Sequence, residues 1–285
     1  GGVVIEDKDG NQFVWVPVAT LADYKRTWYT GWSPFSDYSE ALPEDEKTSV
    51  ERYKGFYIGR YEAGDKESTG TTKATFRTSS SDTSNSVTIK ADQVPYNYVT
   101  RTQAQNLANN VNSGNKTSSL MFGVQWDLVL AFMSKDTTKV NQENLKELIS
   151  DSTTIGNYYN STFQLSQTGQ YAVYSNYSLS STWNPSTKST TNFVDSSRNK
   201  IAQSSNRNGI LVTTGTSETN KVMNIYDIAG NVDEWTLESP SSDINQCASR
   251  GGSYFDTGSN NPAALRVGSD SVLSINRIGF RVSLF

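Results

Sequence analysis

The chain has 285 residues, 35% of them hydrophobic, and its 25 basic and 29 acidic side chains leave a net charge of −4. A chain of this length can bury one large core or two modest ones, and the mixed charges exclude the electrostatic footprint of a nucleic-acid-binding protein. No run approaches the roughly 18 apolar residues of a membrane span, so we expect no direct membrane insertion by these residues. Residue 1 is Gly, not Met, which is compatible with a trimmed or mature chain that has lost an N-terminal anchor.

Two N-terminal segments have the residue pattern of strands. Residues 12–18 are apolar and β-branched and are ended by Pro17. Residues 55–62 place Phe56 and Ile58 on one face, where they can meet a core. Between the two segments, residues 28–38 are rich in Trp, Tyr and Phe. Such a cluster either packs its loop against the domain or lines a sugar-binding surface, and we favour packing.

Helices are predicted in the middle of the chain. Thr100 and Gln103 form a capping box, and the apolar residues after it repeat at the spacing of one buried face: Ala104, Leu107, Ala108 and Val111. The same spacing predicts a second helix over residues 123–135, with a core-facing stripe of Trp126, Val129, Leu130 and Met133. A weaker pattern predicts a third helix over residues 141–150.

Two polar stretches interrupt these elements. Residues 64–87 are rich in Ser, Thr, Gly and Lys and predict a surface insertion. Residues 151–220 are also polar, with strand-like pieces at 171–174 and 209–212. No composition break requires a second domain. We therefore expect a single domain over residues 1–285, with polar insertions near 64–90 and 151–220.

The chain has one Cys, Cys247, and no His. A single Cys excludes an internal disulfide and a multi-thiolate metal site. The lack of His removes the usual general base of hydrolases and the commonest ligand of zinc, copper and non-haem iron. Catalysis would have to rest on carboxylates, Lys or Tyr, and we start from the expectation that the protein is not an enzyme.

Three motifs occur in order near the C-terminus: residues 224–235 (NIYDIAGNVDEW), residues 250–253 (RGGS) and residues 279–281 (GFR). Together they resemble the formylglycine-generating-enzyme, or sulfatase-modifying-factor, family. The resemblance extends to the strands and helices described above and so spans nearly the whole chain. It implies an α+β fold, a variant of the C-type lectin fold with two main helices, short antiparallel strands and long irregular loops.

The resemblance does not extend to the family's oxidative chemistry. Its sulfatase-activating members carry two copper-binding cysteines shortly after the RGGS motif, and the matching positions here are Asp256 and Asn261. The iron-dependent sulfoxide synthases of the same fold use His ligands, which this chain lacks. Cys247 precedes the motif and is expected to be an inert small residue. We expect no catalytic residues and no required cofactor.

The resemblance also implies a structural calcium site in the NIYDIAGNVDEW turn. Its ligands here would be the side chains of Asp227 and Glu234 and the carbonyl groups of Gly230 and Val232, all hard oxygen donors. In the alternative, Asn231 and Glu234 satisfy backbone and Arg partners in a buried turn without an ion.

The last 39 residues, 247–285, contain no Lys, Glu, Gln, Trp or Met. A tail of average composition would hold roughly six residues of these types. The chain thereby resembles the variable proteins of diversity-generating retroelements, which use a lectin-type fold and place a variable region between motifs like RGGS and GFR. Mutagenesis in those systems acts on adenines, typically in Asn codons ending in a pyrimidine, and such codons never yield the five missing types. The alternative is an undiversified relative with a naturally Ser- and Asn-rich surface segment.

This resemblance assigns a variable region to residues 253–278, the tail segment. Four of its residues are expected to be framework: Ser253, Tyr254, Pro262 and Ala263. Fifteen are candidate ligand contacts: Phe255, Asp256, Thr257, Asn260, Asn261, Leu265, Val267, Gly268, Ser269, Asp270, Ser271, Val272, Ser274, Ile275 and Asn276.

The expected function is display of a binding surface that recognises a protein or glycan on another cell or host. The expected location is extracellular, on a bacterial cell surface or a phage particle. An invariant lectin-like surface module remains an alternative. A divergent oxidative enzyme of the formylglycine-generating family is a weaker one.

Overall fold

The computed structural model describes residues 1–26, 38–66, 86–111, 114–161, 169–175, 178–179, 184–186, 209–240 and 246–285. Most of the aromatic cluster at 28–38 and most of the polar stretch at 64–87 lie outside the described residues. The packing expected for the aromatic cluster and the surface position expected for the polar stretch therefore stay predictions.

Helices and short strands alternate along the described chain. The helices are α1 (Glu44–Tyr53), α2 (Arg101–Asn109), α3 (Gly123–Met133) and α4 (Lys146–Ile149). The strands of the first half are β1 (Val4–Glu6), β2 (Gln12–Pro17), β3 (Tyr38–Ser39), β4 (Gly55–Gly59), β5 (Gly64–Asp65), β6 (Val87–Thr88) and β7 (Ser118–Leu120). Those of the second half are β8 (Gly169–Ser175), β9 (Ser178–Leu179), β10 (Asn184–Ser186), β11 (Gly209–Val212), β12 (Lys221–Val222), β13 (Ile225–Tyr226), β14 (Asp233–Trp235), β15 (Ser239–Pro240), β16 (Gln246–Arg250), β17 (Arg266–Asp270), β18 (Ile278–Phe280) and β19 (Val282–Leu284).

A five-stranded antiparallel sheet of order β1-β2-β4-β19-β7 forms the centre of the fold. Side chains alternate between its faces. On one face Val14, Val16, Phe56 and Ile58 pack with the α3 residues Trp126 and Leu130 in one core cluster. On the other face Phe13, Leu120 and Val282 share a second cluster with Ala104 and Ala108 of α2. The apolar stripes of α2 and α3 therefore form the two halves of the core on either side of the sheet.

A four-stranded sheet of order β17-β16-β14-β18 carries the C-terminal tail. β14 pairs with β18 in parallel, with Glu234 opposite Gly279, whereas β16 pairs antiparallel with both β14 and β17. A separate sheet of order β10-β8-β11, with β9 also paired to β8, comes from the polar 151–220 stretch. Two-stranded pairs β12-β13, β15-β3 and β5-β6 complete the described pairing.

Most predicted elements are confirmed. β2 ends at Pro17, β4 covers the first five residues of the predicted 55–62 strand, and β8 and β11 pair with each other. Thr100 Oγ1 accepts from the Gln103 amide and Gln103 Oε1 accepts from the Thr100 amide, so the capping box of α2 is formed. The mixed helices and mainly antiparallel short strands confirm the α+β class.

One helix prediction needed correction, and one helix was not predicted. The helix predicted over 141–150 covers only Lys146–Ile149, because Leu145 at its N-cap adopts a left-handed conformation with φ 52° that interrupts the helix. Helix α1 was not predicted, although three acidic residues in its first turn favour a helix N-terminus. Its mean composition is polar, and only Glu46 and Val50 are buried, so no apolar stripe indicated it.

Candidate ligand-binding surface in the C-terminal tail

A two-glycine turn leads into the tail segment. Gly251 and Gly252 have φ values of 93° and 71°, a region that residues with a Cβ rarely occupy. A Cβ on Gly252 would lie 2.5 Å from the Asn261 carbonyl oxygen, and one on Gly251 would lie 2.8 Å from that of Ile228. The turn therefore requires glycine at both positions, and it brings the tail backbone against its neighbours.

The first part of the tail segment, residues 256–264, is bound through its backbone. The Ser152 amide donates to the Gly258 carbonyl at 2.9 Å, and the Tyr159 amide donates to the Asp256 carbonyl at 3.1 Å. The Tyr158 hydroxyl lies 2.7 Å from the Gly251 carbonyl oxygen and 2.9 Å from that of Asn261. These contacts use main-chain atoms of the tail, so they do not depend on which side chains the tail carries.

The second part, residues 266–276, is bound in the same way. β17 pairs with β16 over five residues. Beyond it, the Arg101 amide donates to the Ser271 carbonyl at 3.3 Å and the Tyr98 amide donates to the Ile275 carbonyl at 3.0 Å. Asn97 Nδ2 donates to the Asn276 carbonyl at 2.6 Å. The loop that opens α2 therefore holds the backbone of the last tail turn.

Burial divides the fifteen predicted contact residues into three groups. Asn260, Asp270 and Val272 are exposed, and the Val272 side chain reaches 72% exposure. Nine more are partly exposed: Asp256, Thr257, Asn261, Val267, Gly268, Ser269, Ser271, Ser274 and Ile275. The remaining three, Phe255, Leu265 and Asn276, are buried. The four predicted framework residues, Ser253, Tyr254, Pro262 and Ala263, are all buried.

The burial of Phe255, Leu265 and Asn276 differs from the surface position expected of a ligand contact. The Phe255 ring packs 4.4 Å from the Tyr254 ring and 5.9 Å from the Tyr174 ring, measured between centroids. The Leu265 carbonyl accepts from Arg250 Nε at 3.1 Å. The three residues thus face the domain, which the composition of the tail could not reveal because buried and exposed positions alternate within it.

The positions of the family's two cysteines carry no redox group here. Asp256 Oδ2 accepts from the Ser253 amide at 2.9 Å and from its hydroxyl at 2.6 Å, so Asp256 closes the turn after the glycines. Burial raises the pKa of Asp256, although the bonds from Ser253 oppose the shift. Cys247 lies in β16 with its side chain buried, and burial raises the pKa of its thiol. A thiolate is the reactive form of cysteine, so this environment disfavours reactivity.

A buried network of charges anchors the start of the tail. Arg250 donates to Glu238 at 2.8 Å and to Asp127 of α3 at 2.9 Å, and Arg266 also donates to Glu238. All four side chains are at most 3% exposed. Burial acts to raise the pKa of Glu238, but the two guanidinium groups outweigh it and hold the pKa below its ordinary value. The network therefore joins Arg250 and Arg266, which lie before and after the first part of the tail segment, to Asp127 of α3.

The turn predicted to bind calcium contains a guanidinium group instead. Arg281 Nη2 donates to Glu234 Oε1 at 2.6 Å, and its Nη2 also donates to the carbonyl oxygens of Tyr226 and Asp227 at 2.9 and 3.2 Å. Asp227 Oδ2 accepts from the Gly215 amide at 2.9 Å, while its Oδ1 is buried without a hydrogen-bond partner. Arg281 therefore supplies the positive charge next to Glu234.

These residues do not fit a calcium cage. In the described parts of the chain, no three His, Cys, Asp or Glu side chains are arranged to hold a metal ion, so an ion here would also need backbone carbonyl ligands. An ion bound by Asp227, Glu234 and the carbonyls of Gly230 and Val232 would have to displace Arg281 from Glu234. The geometry supports the alternative reading of the turn, in which Glu234 has an Arg partner. Asn231 also has partners, since its Nδ2 donates to Glu62 at 2.7 Å.

The residues that bind the tail backbone were not predicted from the sequence. The four residues lie more than 90 residues away in sequence from the atoms they contact: Asn97, Tyr98, Ser152 and Tyr158. Their local patterns indicate only an extended piece and a polar loop. The positive φ of 49° at Tyr98, uncommon for an aromatic residue, becomes visible only in the folded chain.

Comparison with known proteins identifies the family. The family model of the sulfatase-modifying factor enzyme 1-like domain matches residues 34–284. Among solved structures, PvdO from Pseudomonas aeruginosa is 14% identical with a TM-score of 0.46, covering 99% of this chain and 98% of that one. Treponema denticola variable protein 1 is 11% identical with a TM-score of 0.32, covering 99% of this chain and 91% of that one. No curated protein sequence matches.

The family match and the described elements confirm the predicted fold class, the formylglycine-generating-enzyme variant of the C-type lectin fold. Within the described ranges, no helix combines the length and apolar composition needed to cross a membrane. The chain belongs to the sulfatase-modifying factor enzyme 1-like domain family.

Proposed function

We propose that this chain is a variable protein of a diversity-generating retroelement, whose tail segment recognises a protein or glycan on another cell or host. One observation carries the proposal. Residues outside the tail segment bind its backbone, while twelve of its fifteen predicted contact residues are partly or fully exposed. This is the arrangement that a diversified binding surface requires.

The arrangement has a clear energetic basis. Substitutions at exposed positions usually change stability by no more than about 0.5 kcal/mol. Main-chain hydrogen bonds persist when the side chain changes, so the tail keeps its shape as its sequence varies. The residue types missing from residues 247–285 are also those that adenine mutagenesis of Asn codons cannot produce, which independently supports diversification.

A binding role without catalysis is consistent with the chemistry of the site. The chain has no His, its one Cys is buried, and Asp256 and Asn261 stand where the family's oxidative enzymes carry thiolates. No cofactor is required for binding. A display protein must meet its ligand outside the producing cell or particle, so we place this one on a bacterial cell surface or a phage particle.

Sequencing sibling copies of the gene tests the proposal. Substitutions should concentrate at the exposed and partly exposed tail positions, in codons derived from adenine-containing templates, and should spare Phe255 and Leu265. A reverse-transcriptase gene and a near-copy of the tail's coding sequence should lie nearby. Substitutions spread evenly along the gene would contradict diversification and favour an invariant surface module.

Two matched libraries test the physical part of the proposal. One library randomises three exposed tail residues, Asn260, Asp270 and Val272, and the other randomises three buried ones, Phe255, Leu265 and Asn276. We expect most members of the first library and few members of the second to resist proteolysis. Equal losses in both libraries would show that exposed and buried tail positions tolerate substitution equally, which would contradict the proposal.

A further inference from the structure

A cavity of about 540 Å³ lies at the central sheet, and its lining includes none of the tail segment. Its aromatic lining includes Trp15, Tyr53, Tyr57 and Phe285. Its volume falls within the range of about 300–1,000 Å³ that is usual for small-molecule sites. A cavity of this size with aromatic walls is a candidate binding site separate from the tail.

The cavity also collects exposed apolar surface. Among the large apolar side chains that the structure describes, three are exposed, and two of them, Val3 at 64% and Tyr53 at 60%, line this cavity. The third is Val272 in the tail segment. Exposed apolar side chains that cluster around a concavity mark binding surfaces more often than scattered ones do.

The ring of Trp15 is held in a fixed position within the cavity. Trp15 of β2 is the cross-strand partner of Tyr57 in β4, and the two ring centroids are 4.8 Å apart with planes tilted by 59°. A Cβ on Gly55 would lie 2.3 Å from Trp15 Cζ2, so the indole lies directly against the glycine backbone. The two tilted rings thus form a rigid apolar corner that loses little conformational entropy when a ligand binds.

Polar groups also line the cavity. Ser49, Asn115 and Lys116 line the same cavity, and Lys116 is the single Lys, Arg, Asp or Glu among the lining residues that the structure describes. Together with the Tyr53 hydroxyl they supply hydroxyl, amide and ammonium groups, which can donate hydrogen bonds and in part accept them. An entirely apolar ligand would leave these groups without partners at a cost in affinity.

A peptide strand is a poor fit to the cavity. β2 is paired on both sides, with β1 and β4, and β4 is paired on both sides, with β2 and β19. A peptide that binds by adding a strand needs a free sheet edge, and the strands carrying Trp15 and Tyr57 offer none. The Trp15 and Tyr57 rings of the lining therefore lie on strands without free strand-pairing groups.

We propose that this cavity binds a saccharide of one or two pyranose rings. The C–H groups of a pyranose pack against the Trp15 and Tyr57 rings. Its hydroxyl groups exchange hydrogen bonds with the polar lining: Ser49, Asn115, Lys116 and the Tyr53 hydroxyl. The site is distinct from the tail segment and does not depend on its diversification. It gives the protein a glycan contact that is separate from the tail surface.

Nuclear magnetic resonance on the full chain tests the proposal. The indole N–H signal of Trp15 is assigned from its absence in Trp15→Phe, and the protein is titrated with a panel of methyl pyranosides, disaccharides and one uronic acid. We expect at least one of these probes to shift the signal in a saturable manner. Absence of any saturable shift across the panel in folded protein would overturn the proposal.

Surface variants locate the binding. Tyr53→Ala removes an exposed ring and should weaken binding of the active probe by about fivefold, and Lys116→Ala should weaken it in the same direction. Glu51→Ala on the same helix and Lys135→Ala elsewhere alter exposed side chains outside the cavity and should leave the affinity unchanged. Unchanged binding by Tyr53→Ala, or a shift produced by an apolar peptide but by no saccharide, would refute the assignment.

One further variant separates this site from the tail surface. Val272→Asp changes the exposed tail and should leave the saccharide titration unaltered. Loss of saccharide binding in Val272→Asp would place the ligand at the tail and overturn the inference of a separate site. The proposed function of the tail would remain open to its own tests in either outcome.

Discussion

Replacing Glu46 with Gln should stabilise the protein increasingly as the pH rises from about 5 to about 8. Glu46 lies in the first turn of α1 and is fully buried. Its Oε1 accepts from the Tyr24 hydroxyl and, at 3.1 Å, from Gln125 Nε2, while its Oε2 is buried without a hydrogen-bond partner. The side chain therefore occupies a site better suited to a neutral group than to a carboxylate.

The magnitude follows from the shifted ionisation. Burial, aided by the negative charges of Glu40 and Asp45 and opposed by the Tyr24 hydrogen bond, raises the pKa of Glu46 from 4.5 to about 8. As the pH rises between these values the unfolded chain ionises Glu46 and the folded chain does not, so stability falls by about 1.4 kcal/mol per pH unit. The accumulated loss at about pH 8 is about 3 to 5 kcal/mol. A Gln side chain does not titrate and avoids it.

Urea unfolding followed by circular dichroism at several pH values measures the effect. The free energy of unfolding of Glu46→Gln, relative to the unsubstituted protein, should increase over this pH range. Glu51→Gln on the exposed face of the same helix is the control and should show little dependence. A difference between Glu46→Gln and the unsubstituted protein that stays constant with pH would refute the reasoning.

The remaining predictions concern the tail and its supports. Phe255→Ala should lower the free energy of unfolding by about 3–5 kcal/mol because it empties a packed aromatic cluster, whereas Val272→Ala should change it by no more than about 0.5 kcal/mol. Similar losses for both variants in urea titrations would contradict the burial pattern. Glu238→Gln should lower the free energy of unfolding by about 3–5 kcal/mol because the buried charges of Arg250 and Arg266 lose a carboxylate partner. A melting temperature close to that of the unsubstituted protein would count against the network. A calcium chelator should leave the melting temperature unchanged, since Arg281 already pairs with Glu234 in the turn. A clear drop in the melting temperature would support a calcium ion there.

Local sequence patterns determined much of the fold. The capping box at Thr100 and Gln103 and the apolar stripe of α3 predicted two helices correctly, because each pattern acts within a few turns of the chain. The β-branched run ending at Pro17 predicted β2 for the same reason. The residue types absent from residues 247–285 indicated where a variable surface would lie, and that inference required no contact information.

Tertiary structure alone decided which tail residues are exposed and what holds the tail backbone. Phe255 and Val272 are both apolar residues in the tail segment, yet one is 1% exposed and the other 72%, because only Phe255 meets Tyr174 from a distant strand. Arg281, which directly follows β18, pairs with Glu234 of β14, a residue that the motif suggested as a calcium ligand. Long-range pairings of this kind form only when distant segments of the chain fold together. A short motif fixes the residues at a turn but does not fix their partners.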